Sequence, residues 1–329
     1  LALVLIVLLA LSGVAFAEVS LGGEFLIGAT GVGTADLSTK AAKAEINLTA
    51  NVDDYTTVKI ELDAEGDDWT NNDISLDDFR VTSDITGALG VDAVSVSLTA
   101  GYFDTYYNNW NYVSRSGEEY YYSGLAGAYL WTRGPRATFA AAFDIGIAGY
   151  SLKYWQPLDG SAVSVAFSGA PVEGANFLVG YYAPTTDFVG SLWLDAGYSF
   201  AAGPASLTIP VSFVMDLAQT TENMGWSSGV AADVDAFHIA VGVGGSGATM
   251  FKDVNAEVST SIVENADIYV IADFDMSTAS AFQSVDLGAK YMFGALGLGA
   301  GYVVAIDDAT STALWGDNGS ITGSGLYVW

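Results

Sequence analysis

The chain holds one histidine, His238, no cysteine, ten Lys and Arg, and 38 Asp and Glu. Hydrolytic chemistry would need His238 beside a Ser and a carboxylate, yet no neighbouring residue has a spacing that demands such a triad. Zinc and haem sites want several His or Cys ligands, so no metal site and no cofactor is expected. Residues 242–247, GVGGSG, satisfy G-x-G-x-x-G. The residues after 247 keep a strand-like composition instead of opening a helix, so no dinucleotide site is expected and the glycines read as a loop. Aspartate pairs at 53–54, 67–68, 77–78 and 307–308 suit a loop cation in donor type, but none has the twelve-residue spacing of an EF-hand, and they read as solvated turn acids. The chemistry left to this chain is that of charge alone: carboxylates and a few cations lining a path for water and ions. No enzyme is expected.

Such charges need elements that keep one side wet. In residues 58–65, Val58, Ile60, Leu62 and Ala64 alternate with Lys59, Glu61, Asp63 and Glu65. Just before them, Ile46, Leu48, Ala50 and Val52 alternate with Glu45, Asn47, Thr49 and Asn51. A period of two means a strand with one apolar face and one polar face. The pattern recurs around 94–102, 206–213, 267–275, 284–293 and 296–304, and many segments end near Tyr on the apolar side, as at Tyr102, Tyr198, Tyr291 and Tyr302. The composition is 51% hydrophobic, yet after residue 17 there is no apolar run long enough for a spanning helix. Half of each strand facing lipid and half facing water explains both facts.

The expected fold is therefore all-β: a transmembrane, antiparallel, up-and-down β-barrel of about 16 strands, with 18 as the alternative. Parity slips near 234–237 and at Asp77-Asp78 leave the count open, since each is either a tight turn or a bulge. Gly294-Ala295 and Gly146 read as tight turns, whereas 66–73, 104–135 and 217–227 read as longer loops. By alternation, Glu45, Glu61, Asp63, Glu65, Asp144, Asp195, Glu257, Asp273, Asp275 and Asp286 fall on the wet face, with Lys43, Lys59, Arg80, Lys153 and Lys290. Carboxylates in that majority predict a channel that prefers cations. The net charge of −28 disfavours nucleic acid and anionic lipid surfaces as partners. His238 falls on the wet face as a wall residue.

The two ends carry the remaining signals. Residues 1–10 are almost unbroken Leu, Val, Ile and Ala, and Ala15-Phe16-Ala17 precedes Glu18 as a small-x-small cleavage site. Residues 1–17 thus read as a secretory signal peptide lacking its basic start, and 18–329 as the barrel. The chain closes on Leu326-Tyr327-Val328-Trp329, an alternating segment with a terminal aromatic. This resembles the C-terminal strand signal of bacterial outer-membrane proteins, with Tyr327 and Trp329 as its aromatic positions. The family's Gly five residues before the end is replaced by Ser324, between Gly323 and Gly325.

With the strand series, the whole chain resembles the bacterial general porins. The resemblance implies a location in the outer membrane, reached through the periplasm, assembly by the barrel-assembly machinery, contact with outer-membrane lipid, passive diffusion of small hydrophilic solutes and cations, and a homotrimer. It also implies that the long loop after the fifth strand, here 104–135, folds into the channel. Glu118, Glu119 and Arg115 would then face Lys59 and Arg80 across a constriction. Two readings compete: a loop lying over the mouth, and Lys59 and Arg80 simply pairing with nearby acids such as Glu61. A surface adhesin or structural barrel, and a sugar-selective channel using the aromatic residues of 104–135, remain as alternative functions.

Overall fold

The computed structural model describes residues 18–32, 38–66, 74–103, 138–186, 189–217, 224–247, 249–277, 281–305, 310–312, 320–322 and 324–328. The expected signal segment, loop 104–135 and the loop acids at 67–68 and 307–308 lie outside them.

Strands dominate: β1 (Glu18–Val32), β2 (Ser38–Asp53), β3 (Thr56–Gly66), β4 (Ile74–Asp84), β5 (Ser95–Phe103), β6 (Thr138–Ile147), β7 (Tyr150–Pro157), β8 (Ala162–Gly169), β9 (Ala175–Pro184) and β10 (Ser191–Ala202). They continue as β11 (Ala205–Asp216), β12 (Met224–Val234), β13 (Phe237–Ser246), β14 (Thr249–Val263), β15 (Ala266–Asp275), β16 (Phe282–Phe293), β17 (Leu296–Ala305), β18 (Thr310–Thr312), β19 (Ser320–Thr322) and β20 (Gly325–Val328). One short helix, α1 (Ile85–Ala88), lies between β4 and β5, with Asp84 as its N-cap. Among the described residues no helix is long and apolar enough to cross a membrane.

Each strand from β1 to β17 pairs antiparallel with the next, and β20 pairs with β17 on one side and β1 on the other. Among the described residues the main sheet therefore has eighteen strands, and its pairing order returns to β1 through a four-residue contact, Ala29–Val32 against Gly325–Val328. The two short strands β18 and β19 pair with each other. Eighteen corrects the expectation of sixteen. The slip at 234–237 is a hairpin turn at Asp235-Ala236, whereas the slip at Asp77-Asp78 is a bulge inside β4, opposite Glu61 and Leu62. Gly146 is corrected too: it sits inside β6, and the turn comes at Ala148-Gly149, both with positive φ, which fits the right-handed twist of the flanking strands. Residues 242–246 belong to β13, so the glycine run is strand and not loop.

Connections after even-numbered strands are mostly two residues long, with α1 and residues 170–174 as the larger ones. Those after odd-numbered strands are mostly longer, and 247–248 is their short exception. Short turns on one rim and longer loops on the other is the arrangement of outer-membrane barrels.

The two faces of the sheet are inverted relative to a water-soluble protein. Phe143, Leu194, Val211, Ile239, Val270, Leu287 and Leu298 point outward and are exposed. Glu257 and Asp286 point inward and are only 2% exposed. Ala50 and Ile60 are buried exceptions on the outward side. Part of the inward face is dry. Trp155, Trp193, Tyr269 and Ile271 are fully buried there, and Trp193 packs with Leu178 and Val214. Alternation assigns these residues a face but says nothing of what surrounds them.

Glycines make room for the rings. Trp193 pairs with Gly180 across β9 and β10, and a Cβ added at Gly180 would lie 2.1 Å from the indole. Gly180→Val therefore lifts Trp193 off the sheet. The expected cost is about 1–3 kcal/mol by overpacking, measured as a lower urea midpoint in lipid vesicles. An unchanged midpoint would show that the indole moves freely.

Candidate functional site

The inward residues of β2 to β7 form three rows set by register. In the first, Lys59 pairs with Thr49 on one side and Arg80 on the other, and Arg80 pairs with Gly101. The second runs Thr57, Thr82, Thr99, Ala142 and Trp155. In the third, Asp144 pairs with Ser97 and Lys153. Between these rows the inward surface is hollow, and Ala142 adds only a methyl group to its wall. A cavity of about 510 Å³ fills it, bounded by Lys59, Arg80 and Lys153 and by Trp155 and Phe103.

The cations are pinned from behind. Lys59 Nζ is 2.5 Å from Glu61 Oε2 and 3.7 Å from Asp78 Oδ2, and Arg80 Nη1 is 3.3 Å from the same Asp78 oxygen. Lys153 Nζ lies 3.3 Å from Asp144 Oδ2, and Ser151 Oγ donates to Asp144 Oδ1 at 2.5 Å. The side chain of Asp78 is 12% exposed against 37% for Arg80. The acids are the inner layer and the cations the outer. Lys59 and Arg80 thus lie side by side, and both pair with nearby acids. Alternation does not single out Asp78 as their partner, because the bulge at Asp77 shifts the parity on which it depends.

Around the remaining surface, Asp195, Glu257, Asp273, Asp275, Asp286 and Lys290 share one side of β10, β14, β15 and β16. Two rows of this part are Glu257, Ile271, Asp286 and Asn255, Asp273, Ser284, and Ser284 Oγ donates to Asp273 at 3.2 Å. Glu45 accepts from Asn47 Nδ2 on β2. Lys43 is opposite Glu65, and Glu45 opposite Asp63. The side chains of Lys43, Asp63 and Glu65 lie outside the described part, as do Arg115, Glu118, Glu119 and Trp329 altogether. Tyr327 stands in β20, paired with Thr30 and Gly301, its side chain likewise outside. The described charges are thus unevenly spread, with three cations gathered on β3, β4 and β7 and carboxylates prevailing from β10 to β16.

His238 is inward and 4% exposed. Its Nδ1 lies 2.9 Å from Asp233 Oδ1 across the Asp235-Ala236 turn, and Ser259 is its neighbour on β14. Both neighbouring strands, β12 and β14, are held in ladder pairing with β13. Among the described residues no group of three or more His, Asp or Glu is placed to hold a metal. At the loop rim, Asp159 is held below the ordinary carboxylate range by the backbone N–H and then the hydroxyl of Ser161, with the N–H at 2.9 Å.

No family model and no curated protein matches the chain. Solved structures do. One variant of the porin of Rh. blastica matches with a TM-score of 0.56 at 15% identity, covering 94% of this chain and 99% of that one. A second variant of that porin matches with 0.54 at the same identity and coverage. OmpT, described as an outer membrane protein of Vibrio cholerae, matches with 0.46 at 10% identity over 95% of each chain. The Rh. blastica likeness is one of fold, and it agrees with the inverted faces and the two unequal rims. The protein has a porin-like outer-membrane β-barrel fold.

Proposed function

We propose that the protein is an outer-membrane channel for passive diffusion of small hydrophilic solutes, with a preference for cations, and that it is not an enzyme. The observation that carries this is the inversion of the sheet: large apolar side chains exposed outward, and carboxylates from five inward positions on β10, β14, β15 and β16. The outward band favours hydrocarbon, and strands of 8 to 16 residues are long enough to cross it when tilted. A ring of eighteen strands about 4.8 Å apart and tilted by about 40° has a backbone diameter of roughly 36 Å. That leaves room for water beside the dry patches. The resemblance to general porins supports a trimer, delivery to the outer membrane by signal peptide and barrel-assembly machinery, with Tyr327 and Trp329 as the assembly signal, and a constriction in which Arg115, Glu118 and Glu119 meet Lys59 and Arg80.

Purified protein in planar bilayers is expected to give ohmic steps and, in a salt gradient, a cation-selective reversal potential. An anion-selective potential would overturn the preference, and no conductance at all would overturn the channel. A second reading, a barrel acting mainly as a surface adhesin or structural protein, draws on the aromatic sequence of 104–135, and silence in the bilayer would favour it.

A further inference from the structure

We infer that the hollow between β3 and β7 is a binding subsite for a small polyhydroxylated anion, a monosaccharide carrying a phosphate or carboxylate group. The inference rests on the channel reading for access, but it concerns one patch within a mainly acidic interior.

Charge is the first reason. Among the five basic residues with described side chains, three line this one cavity: Lys59, Arg80 and Lys153. Among the described residues Asp144 is the only carboxylate bounding it, because Glu61 and Asp78 lie behind the cations and not at the cavity surface. Three of the four charged groups at the cavity surface are thus cationic, and with Glu61 and Asp78 behind them the cluster balances to zero (three minus three) in a chain whose net charge is −28. Arg80 uses one nitrogen on Asp78, and its side chain is 37% exposed. A guanidinium has five N–H donors in a planar fork, which suits phosphate or carboxylate oxygens. Lys153 is more exposed still and can swing toward a second anionic or hydroxyl oxygen.

The rest of the lining is hydroxyl and aromatic. Thr82 Oγ1 and Thr99 Oγ1 are 2.9 Å apart, and Thr49, Thr57 and Ser97 join them. Hydroxyls both donate and accept, so such a surface matches sugar hydroxyls of either polarity. Trp155 and Phe103 form a buried apolar floor behind these hydroxyls. The volume of about 510 Å³ is in the range of small-molecule pockets and exceeds what a bare ion needs.

The test is calorimetry on the folded full-length protein in detergent, run beside single-channel recording, both at about 0.1 M salt to limit screening. The probes are glucose 6-phosphate, gluconate, glucose and inorganic phosphate. Expected is saturable binding of glucose 6-phosphate or gluconate, with glucose and inorganic phosphate each about tenfold or more weaker, and the same loss in the variant Arg80→Gln/Lys153→Gln. The channel current should be blocked by the same probes in the same order. Lys252→Gln, on β14, should leave the block unchanged. Equal binding of inorganic phosphate would overturn the sugar component. No binding, or binding unaffected by Arg80→Gln/Lys153→Gln, would overturn the subsite even if the channel conducts. If the bilayer is silent yet calorimetry shows binding that Arg80→Gln/Lys153→Gln removes, the subsite stands and the channel reading falls.

Discussion

Leu287→Arg is expected to lower the stability of the lipid-embedded protein by about 2–4 kcal/mol, the cost of a guanidinium placed near the bilayer midplane on a barrel's outer face. Leu287 is a central residue of β16, points outward and is 46% exposed. Its register partners are Val270 and Tyr302, both exposed on the same side. In a water-soluble protein the same substitution at so exposed a position would change stability by only about 0.5 kcal/mol in either direction. The two environments thus differ by several times the usual error, which makes this the most decisive single substitution. The matched control is Ser199→Arg, at an exposed inward position on β10, where the expected change is also within about 0.5 kcal/mol. Reversible urea unfolding from lipid vesicles measures both. A small effect at Leu287 with a large one at Ser199 would exchange inside for outside and remove the basis of the channel reading.

The facing of each strand was legible because a period of two depends only on backbone geometry. Leu287 against Asp286, or Val270 against Tyr269 and Ile271, could be assigned without coordinates. Strand number was less legible. A two-residue turn such as Asp235-Ala236 and a one-residue bulge such as that at Asp77 both break alternation, and only pairing distinguishes them. The environment within a face was not legible at all. Trp193 and Asp195 share a side of β10, yet the indole lies across Gly180 and packs with Leu178 and Val214. The partners of Lys59, Arg80 and His238 were hidden for a related reason. Asp78 lies across a bulge, and Asp233 is five residues from His238 with a turn between. A sequence signal existed for the second: an acid and a His at mirrored positions of a short hairpin must face each other. Lys59, Arg80 and Lys153 on β3, β4 and β7 reach one cavity through the register of five neighbouring strands, a juxtaposition that no single strand displays.

Neutralising the opposite side of the interior should change selectivity more than any other substitution. Asp195, Glu257 and Asp286 are all inward and all less than one-tenth exposed, so Asp195→Asn/Glu257→Gln/Asp286→Asn removes three charges while nearly preserving volume. A unit charge about 8 Å from a passing ion is worth around 0.5 kcal/mol through water, and more where buried surroundings lower the effective dielectric. Three together amount to about 1.5 kcal/mol, roughly tenfold for cations and the same in the opposite sense for anions, or about a hundredfold in the ratio of cation to anion permeability at low salt. The sign is set by the charge removed: cations lose attraction, anions lose repulsion, and the reversal potential in a salt gradient moves toward that of free diffusion. Because burial keeps these carboxylates from direct contact, they act by field, so single-channel conductance at about 1 M salt, where the Debye length is about 3 Å, should stay close to the unsubstituted value. The remaining inward acids Glu45, Glu61, Asp78, Asp144, Asp273 and Asp275 still outnumber Lys59, Arg80, Lys153 and Lys290, so the variant is expected to keep a reduced cation preference. A reversal potential unmoved by the triple substitution would mean that ions pass elsewhere, and the preference would have to be assigned to other parts of the chain.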